Sequence, residues 1–288
     1  MEQRSLELDG KNVSVYFEGN SEKPTIVCLH GLAGNAMYSF SELSKLLCDH
    51  FQLLLIDQPG HGKSTSFDKE EDYRFSSLAS WYDRVFASLL NKPFYLLGHS
   101  WGADVGLHYA KYYPEKVKGV ILLDGGFTFP EFQEDMTFEV AYNGWKSYMD
   151  QAKYDTWNDV IREYRTFTKR WNDTIEQSVS YIFMKKEKYE LIASKFTVLS
   201  IIKAFFEEPF TTTYSFIKSP LLLLHATETV ELEEARTKGI SQLKNDIKDA
   251  SVISLDRTGH MIQWDKPEEV SLEIIKWIGT KEESVHVL

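Results

Sequence analysis

Ser100 lies in the stretch LLGHSWGA, residues 96–103, where Gly98 and Gly102 complete the spacing G-x-S-x-G. A serine hydroxyl is a weak nucleophile, so this spacing carries chemistry only if the backbone exposes Oγ and a base stands beside it. The context meets the first condition. An apolar run precedes the serine and a helical pattern follows it, which predicts a sharp strand-to-helix turn with Ser100 at its apex. The flanking glycines allow neighbouring backbone to approach such a turn closely. The helix N-terminus that follows favours negative charge near the hydroxyl.

His260 is the base that this serine needs. It sits in LDRTGHMIQWDKPEEV, residues 255–270, between the last apolar run and a C-terminal helical pattern, on a loop at the strand-end edge. The other histidines fit less well. His50 and His286 read as surface residues, His61 and His99 as turn residues, and His108 as a packing residue on a helix. His30 and His225 end strands and read as structural. An imidazole acting as base also requires a carboxylate to hold its tautomer. Two strand ends offer one, Asp124 in ILLDGG (121–126) and Glu228 in PLLLLHATET (220–229). Acyl transfer further requires donors for a developing oxyanion. The Gly-rich turn LHGLAGNA (29–36) supplies the Leu32 N–H and the serine turn supplies the Trp101 N–H. The Trp101 indole is expected as a wall of the pocket.

These residues must be positioned by regular elements. RSLELDG and NVSVYFEG, within residues 4–18, alternate about Asp9-Gly10 and read as an antiparallel hairpin. Continuous apolar runs at 24–31, 51–57, 93–100, 117–126, 219–227 and 250–256 suit strands buried on both faces. Helical spacings separate them at 36–49, 75–90, 103–113, 231–246 and 267–279. This alternation predicts an α/β protein with a mostly parallel central sheet flanked by helices. Residues 127–216 break the rhythm. They show no buried-strand run, are rich in Tyr, Phe, Trp and charge, and carry helical periodicity at 157–171 and 188–206. They read as a helical insertion into a core formed by 1–126 and 217–288.

Composition narrows the function. The formal net charge of −11 over 288 residues opposes nucleic acid or an anionic membrane as a partner. Two cysteines, Cys28 and Cys48, give neither a disulfide framework nor a metal-ligand spacing. The first residues, MEQRSLELDG, hold no apolar signal-peptide core, and no apolar run approaches the length of a membrane span, so a soluble, cytoplasmic protein is expected. GHGKS, residues 60–64, ends like a phosphate loop, but the first glycine of that motif would fall on Asp57. No nucleotide, cofactor or metal is therefore expected, and a small molecule is the expected partner.

Taken together, LHGLAG, DQPGHGKS, GHSWGA and TGHMIQW resemble, in order and context, the α/β-hydrolase superfamily. The resemblance covers the chain apart from the detail of 127–216. It implies an α/β-hydrolase fold in which that insertion forms a helical cap, or lid, over the site. It implies a serine hydrolase of carboxylesterase or lipase-like type, working through a catalytic triad, an oxyanion hole and an acyl-enzyme on Ser100. The substrate would be a small apolar ester, lactone or thioester. The family's commoner acid position follows the strand at 220–229 in a G-x-x-D pattern, where this chain has Ala226 and Thr229. Some relatives instead carry the acid at the strand end equivalent to Asp124. The departure at Thr229 favours Asp124, with Glu228 as the alternative. Serine at the nucleophile position argues against dehalogenase and epoxide hydrolase chemistry. C–C bond hydrolase and haloperoxidase-like relatives share the same residues, and a ligand-binding sensor with slow turnover is the reading from another class.

Overall fold

A computed structural model describes residues 1–285 of the chain. His286 lies outside the described residues. The N-terminal hairpin pairs β1 (Glu2–Leu8) with β2 (Lys11–Glu18) about Asp9 and Gly10. Both turn residues have positive φ, 53° and 71°, as a two-residue hairpin turn of the primed type requires. Strands and helices then alternate through β3 (Thr25–Leu29), α1 (Ala36–Leu47), β4 (Gln52–Ile56), α2 (Phe75–Leu89), β5 (Phe94–His99), α3 (Trp101–Tyr112) and β6 (Val117–Leu123). After the insertion the alternation resumes with β10 (Leu221–Ala226), α9 (Glu233–Asp246), β11 (Ala250–Leu255), the short α10 (Ile262–Asp265) and α11 (Pro267–Val285).

The eight-stranded sheet runs β1-β2-β4-β3-β5-β6-β10-β11. All pairs from β4 to β11 are parallel, and only the β1–β2 and β2–β4 pairs are antiparallel. Side chains alternate across the central strands as the pleat demands. Val27, Leu29, Leu54, Ile56 and Leu96 pack on the face covered by α2 and α3. Ile26, Cys28, Leu53, Leu55 and Leu97 pack on the face covered by α1 and α11. Both faces are thus apolar, which is why the strands read as unbroken runs. The chain order reverses between β4–β3 and β3–β5, so a crevice opens beyond the carboxyl ends of β3 and β5.

The segment between β6 and β10 differs from the all-helical expectation. It holds α4 (Phe138–Gln151), α5 (Trp157–Tyr164), α6 (Asp173–Ser180), α7 (Lys195–Glu207) and α8 (Thr211–Tyr214). It also holds a small antiparallel sheet, β7-β9-β8, made from Lys153–Tyr154, Tyr189–Leu191 and Phe183–Lys185. The helical patterns expected at 157–171 and 188–206 are shorter in fact. α5 stops at Tyr164 and passes into a 3-10 turn, and residues 189–191 pair as a strand before α7 begins behind the cap Ser194. Strands of two or three residues carry too little period-2 signal to compete with helical spacing. Among the described residues, no helix is long and apolar enough to cross a membrane.

Candidate active site

All six residues of β5 are buried, and the chain leaves the strand through a strained turn. Ser100 has φ 53° and ψ −124°, a conformation that costs about 1–3 kcal/mol for a residue with a Cβ. Backbone bonds hold it there. The Ser100 N–H donates to the Leu123 carbonyl at 3.0 Å, and the Ala103 N–H donates to the Ser100 carbonyl at 2.8 Å. The motif glycine Gly102 is required by space, because a Cβ there would collide with the Leu29 carbonyl. On the other side, a Cβ on Gly31 would lie 3.2 Å from the Ser100 Cβ, so the turn after β3 abuts the serine directly.

Asp124 extends the next parallel strand in the same way, its N–H donating to the Leu224 carbonyl at 2.9 Å while φ turns to 45°. Its Oδ1 accepts the Ala226 N–H at 2.9 Å, and its Oδ2 accepts His260 Nδ1 at 2.7 Å. Burial alone would raise the Asp124 carboxyl. The hydrogen bond and charge of His260, with the Ala226 amide, outweigh burial and hold it below the ordinary carboxylate value. The carboxylate thus fixes the proton of His260 on Nδ1 and leaves Nε2 as the basic nitrogen. The His260 side chain is 56% exposed against 11% for Asp124, so the imidazole meets the cavity while the carboxylate is sealed behind it. His99 reinforces the arrangement, its Nε2 lying 3.2 Å from the His260 carbonyl. Burial pushes the His99 imidazole down to about 3, which makes it a neutral donor.

The alternative carboxylate is elsewhere. Glu228 pairs with Lys169 at 2.7 Å, and its backbone N–H donates to the Thr258 carbonyl. Of the two carboxylates, Asp124 is the one bonded to His260. Thr229, where the family resemblance implied an aspartate, adopts φ 67° and lines the cavity.

Leu32 lies on the turn that abuts Ser100 and lines the cavity, and Trp101 follows the serine as the first residue of α3, whose N–H has no carbonyl one turn earlier in the helix. His30 and His61, which from sequence read only as a structural and a turn residue, belong to a buried polar layer that supports the Leu32 turn. His30 Nε2 accepts the Gln58 N–H at 2.9 Å, and the Gln58 side chain donates to the His30 carbonyl and accepts from Tyr82. His61 Nε2 accepts the Ala33 N–H at 3.1 Å and its Nδ1 donates to Pro59. Burial holds the His61 imidazole down to about 4, so it stays an acceptor at neutral pH. The expectation for the Trp101 indole is corrected. That ring is buried away from the cavity against His30 and His61, with centroids 6.1 and 5.2 Å away. The period of α3 turns the side chain of its first residue into the core, leaving only the backbone beside the serine.

Ser100 and His260 face one cavity of about 820 Å³. Its floor comes from Gly31, Leu32, Ala33, Tyr38, His99, Glu228, Thr229 and Gly259–Met261, its roof from residues 129–182 of the insertion. The roof is aromatic and aliphatic, with Phe129, Met136, Val140, Trp145, Tyr148, Tyr164, Phe167 and Ile182. Tyr148 and Tyr164 bond to each other through their hydroxyls at 3.2 Å. None of these roof residues was singled out from sequence, since an aromatic residue in an insertion carries no mark of the face it will present. No group of three or more His, Cys, Asp or Glu able to hold a metal occurs among the described residues.

The chain belongs to the alpha/beta hydrolase fold family, whose model matches residues 24–267. A serine hydrolase-like protein of Danio rerio is 34% identical over 150 residues, 52% of this chain and 44% of that protein. The matches span 33% to 52% of the length of the curated serine hydrolase-like relatives. Over almost the whole chain, (E)-2-((N-methylformamido)methylene)succinate hydrolase of Acinetobacter baylyi is 21% identical, covering 96% of this chain and 98% of that one. Among solved structures, an E-2-(acetamidomethylene)succinate hydrolase superposes with a TM-score of 0.78 at 19% identity, over 96% of this chain and 99% of the other, a likeness of fold.

Proposed function

We propose that the protein is a serine hydrolase that cleaves small, uncharged esters through an acyl-enzyme on Ser100, with His260 as base and Asp124 as its carboxylate partner. The 2.7 Å bond from His260 Nδ1 to Asp124, beside a serine held at φ 53° in the same cavity, carries this reading. His260 Nε2 takes the Ser100 proton as Oγ attacks the carbonyl carbon, and the Leu32 and Trp101 N–H groups receive the oxyanion. Imidazolium returns the proton to the leaving alkoxide, and water repeats the sequence on the acyl-enzyme. Thioesters and lactones react by the same steps. Residues 127–216 act as the cap that shapes the acyl and alcohol subsites, a role supported by their contribution of the cavity roof.

The absence of charge in the proposed substrate is supported by the lining. The relative named for a succinate acts, by its name, on a carboxylate-bearing compound. Here the described lining residues include Glu228 and no Lys or Arg. A substrate carboxylate buried there would lose its hydration without a paired cation. A cytoplasmic setting is also proposed, since both cysteines are free thiols, as a reducing compartment maintains.

Steady-state assays with p-nitrophenyl acetate, butyrate and octanoate test the reading. Multiple turnovers that vanish in Ser100→Ala are expected. Equal turnover in the variant contradicts the proposal, and a single turnover followed by arrest would favour a sensor.

A further inference from the structure

His260 stands on an exposed loop, and Asp124 holds only one atom of its ring. The loop itself is gripped from the insertion by two consecutive residues. Thr168 Oγ1 donates to Asp265 Oδ1 at 2.5 Å, and Asp265 Oδ2 accepts the N–H of Gly259, the residue before His260, at 2.8 Å. Lys169 pairs with Glu228 at 2.7 Å, and the Glu228 N–H donates to the Thr258 carbonyl at 2.9 Å. Thr168 is itself buried and oriented, because its Oγ1 accepts the Arg170 N–H at 3.0 Å and so points its proton at Asp265. Arg170 fastens the segment to the core through Glu42 at 2.7 Å and the Trp264 carbonyl at 3.3 Å. Thr166 and Phe167, immediately before, line the cavity.

We propose that Asp265 is a positioning residue for His260, and that Thr168 couples it to the cavity roof. One carboxylate spans the two parts of the molecule, with one oxygen on the histidine loop and the other on the segment that contacts substrate. The Gly259 N–H has no side chain of its own to shield it, and the Asp265 carboxylate fixes the direction of the peptide that leads into His260. A roof segment seated on substrate therefore also seats the base. This inference rests on the proposed role of His260 as base.

The test compares Asp265→Ala, Asp265→Asn and Thr168→Val, using p-nitrophenyl butyrate turnover and the NMR resonance of the His260 Nδ1 proton. Asparagine keeps an acceptor for Gly259 and can donate to Thr168 Oγ1, so Asp265→Asn should stay within about threefold of the parent in kcat, with the resonance in place. Asp265→Ala should lower kcat about 10- to 100-fold, as expected for a catalytic group misplaced by about 1 Å, while KM moves less than about threefold. Its Nδ1 proton signal should broaden or disappear. Thr168→Val, which leaves Gly259 bonded, should lower kcat about three- to tenfold and shift the signal. Parent-like kcat and an unchanged resonance in Asp265→Ala overturn the proposal. If that variant does not fold, an unchanged resonance and kcat in Thr168→Val overturn it. The resonance is read without catalysis, so a parent protein that turns over no ester counts against the proposed function while the positioning claim is still decided.

Discussion

The sheet end and the insertion meet at one cavity but are built differently. At the sheet end, Ser100 and Asp124 continue strands through backbone bonds to their neighbours, and each residue is over-determined by buried apolar packing beneath it. In the insertion, α4 buries only Ala141 and Met149 and exposes Val140 at 53%, so its place depends on a few aromatic contacts such as Phe138–Phe206 and on links such as Lys195–Asp150. Strain at Ser100 is tolerated because the sheet holds it. A roof helix so loosely buried tolerates change in its side chains instead. In the proposed account, chemistry belongs to the first region and selectivity to the second.

The sharpest way to break this division is to change the carboxylates. Asp124→Asn should lower kcat about 10³- to 10⁴-fold, because an amide cannot hold the Nδ1 proton and stabilise the imidazolium. Glu228→Gln should stay within about threefold, since the ion pair it removes is largely exposed and the Glu228 N–H keeps its bond to the Thr258 carbonyl. Steady-state assays of both variants check the ranking, and the reverse order moves the acid to Glu228. A smaller effect concerns charge. A p-nitrophenyl hemisuccinate should show kcat/KM about 10²-fold below that of the butyrate, from the cost of burying an unpaired carboxylate. Equal values would remove the argument drawn from the lining.

Within the insertion, Trp145→Ala should raise KM about tenfold for the longer acyl chains with kcat little changed, the signature of lost binding common to ground and transition states. A fall in kcat alone would place chemistry in the roof.

The two regions also differ in their response to acid. His30, His61, His99 and His108 are buried in the core and held neutral by burial, with His61 down to about 4 and His99 and His108 to about 3. The unfolded chain binds protons at these imidazoles near the ordinary imidazole value of 6.5. Their contribution to stability is therefore complete above pH 6.5 and is lost as pH falls toward the folded values. Each costs up to about 1.4 kcal/mol per pH unit across that window. Thermal melts from pH 7 to 4.5 should show a falling Tm, and His61→Gln should flatten the slope by about one proton. The insertion contains no histidine, so a melt of equal slope in His61→Gln would place the acid sensitivity elsewhere.

How much of this was readable before the structure follows the same division. LLGHSWGA and TGHMIQW announced their places because the strand before Ser100 is an unbroken apolar run and the glycines answer a need of space that any such turn has. Asp124 and Glu228 could not be separated by residue type, since both end strands of the same sheet. What separates them is the Ala226 amide and the reach to His260, which are properties of register. The indole of Trp101 was misplaced because spacing locates a backbone N–H but not the direction of a side chain at a helix start. The roof was legible only as aromatic. Which of its rings face the cavity depends on how short elements such as residues 183–185 and 189–191 pair, and such strands leave almost no periodic trace.

The most direct measurement is mass spectrometry of the protein after reaction with a fluorophosphonate, followed by peptide mapping. A single adduct on Ser100 is predicted, absent in Ser100→Ala and formed at least about 10²-fold more slowly in His260→Ala. An adduct on another residue, or labelling of Ser100→Ala at the parent rate, would contradict the account.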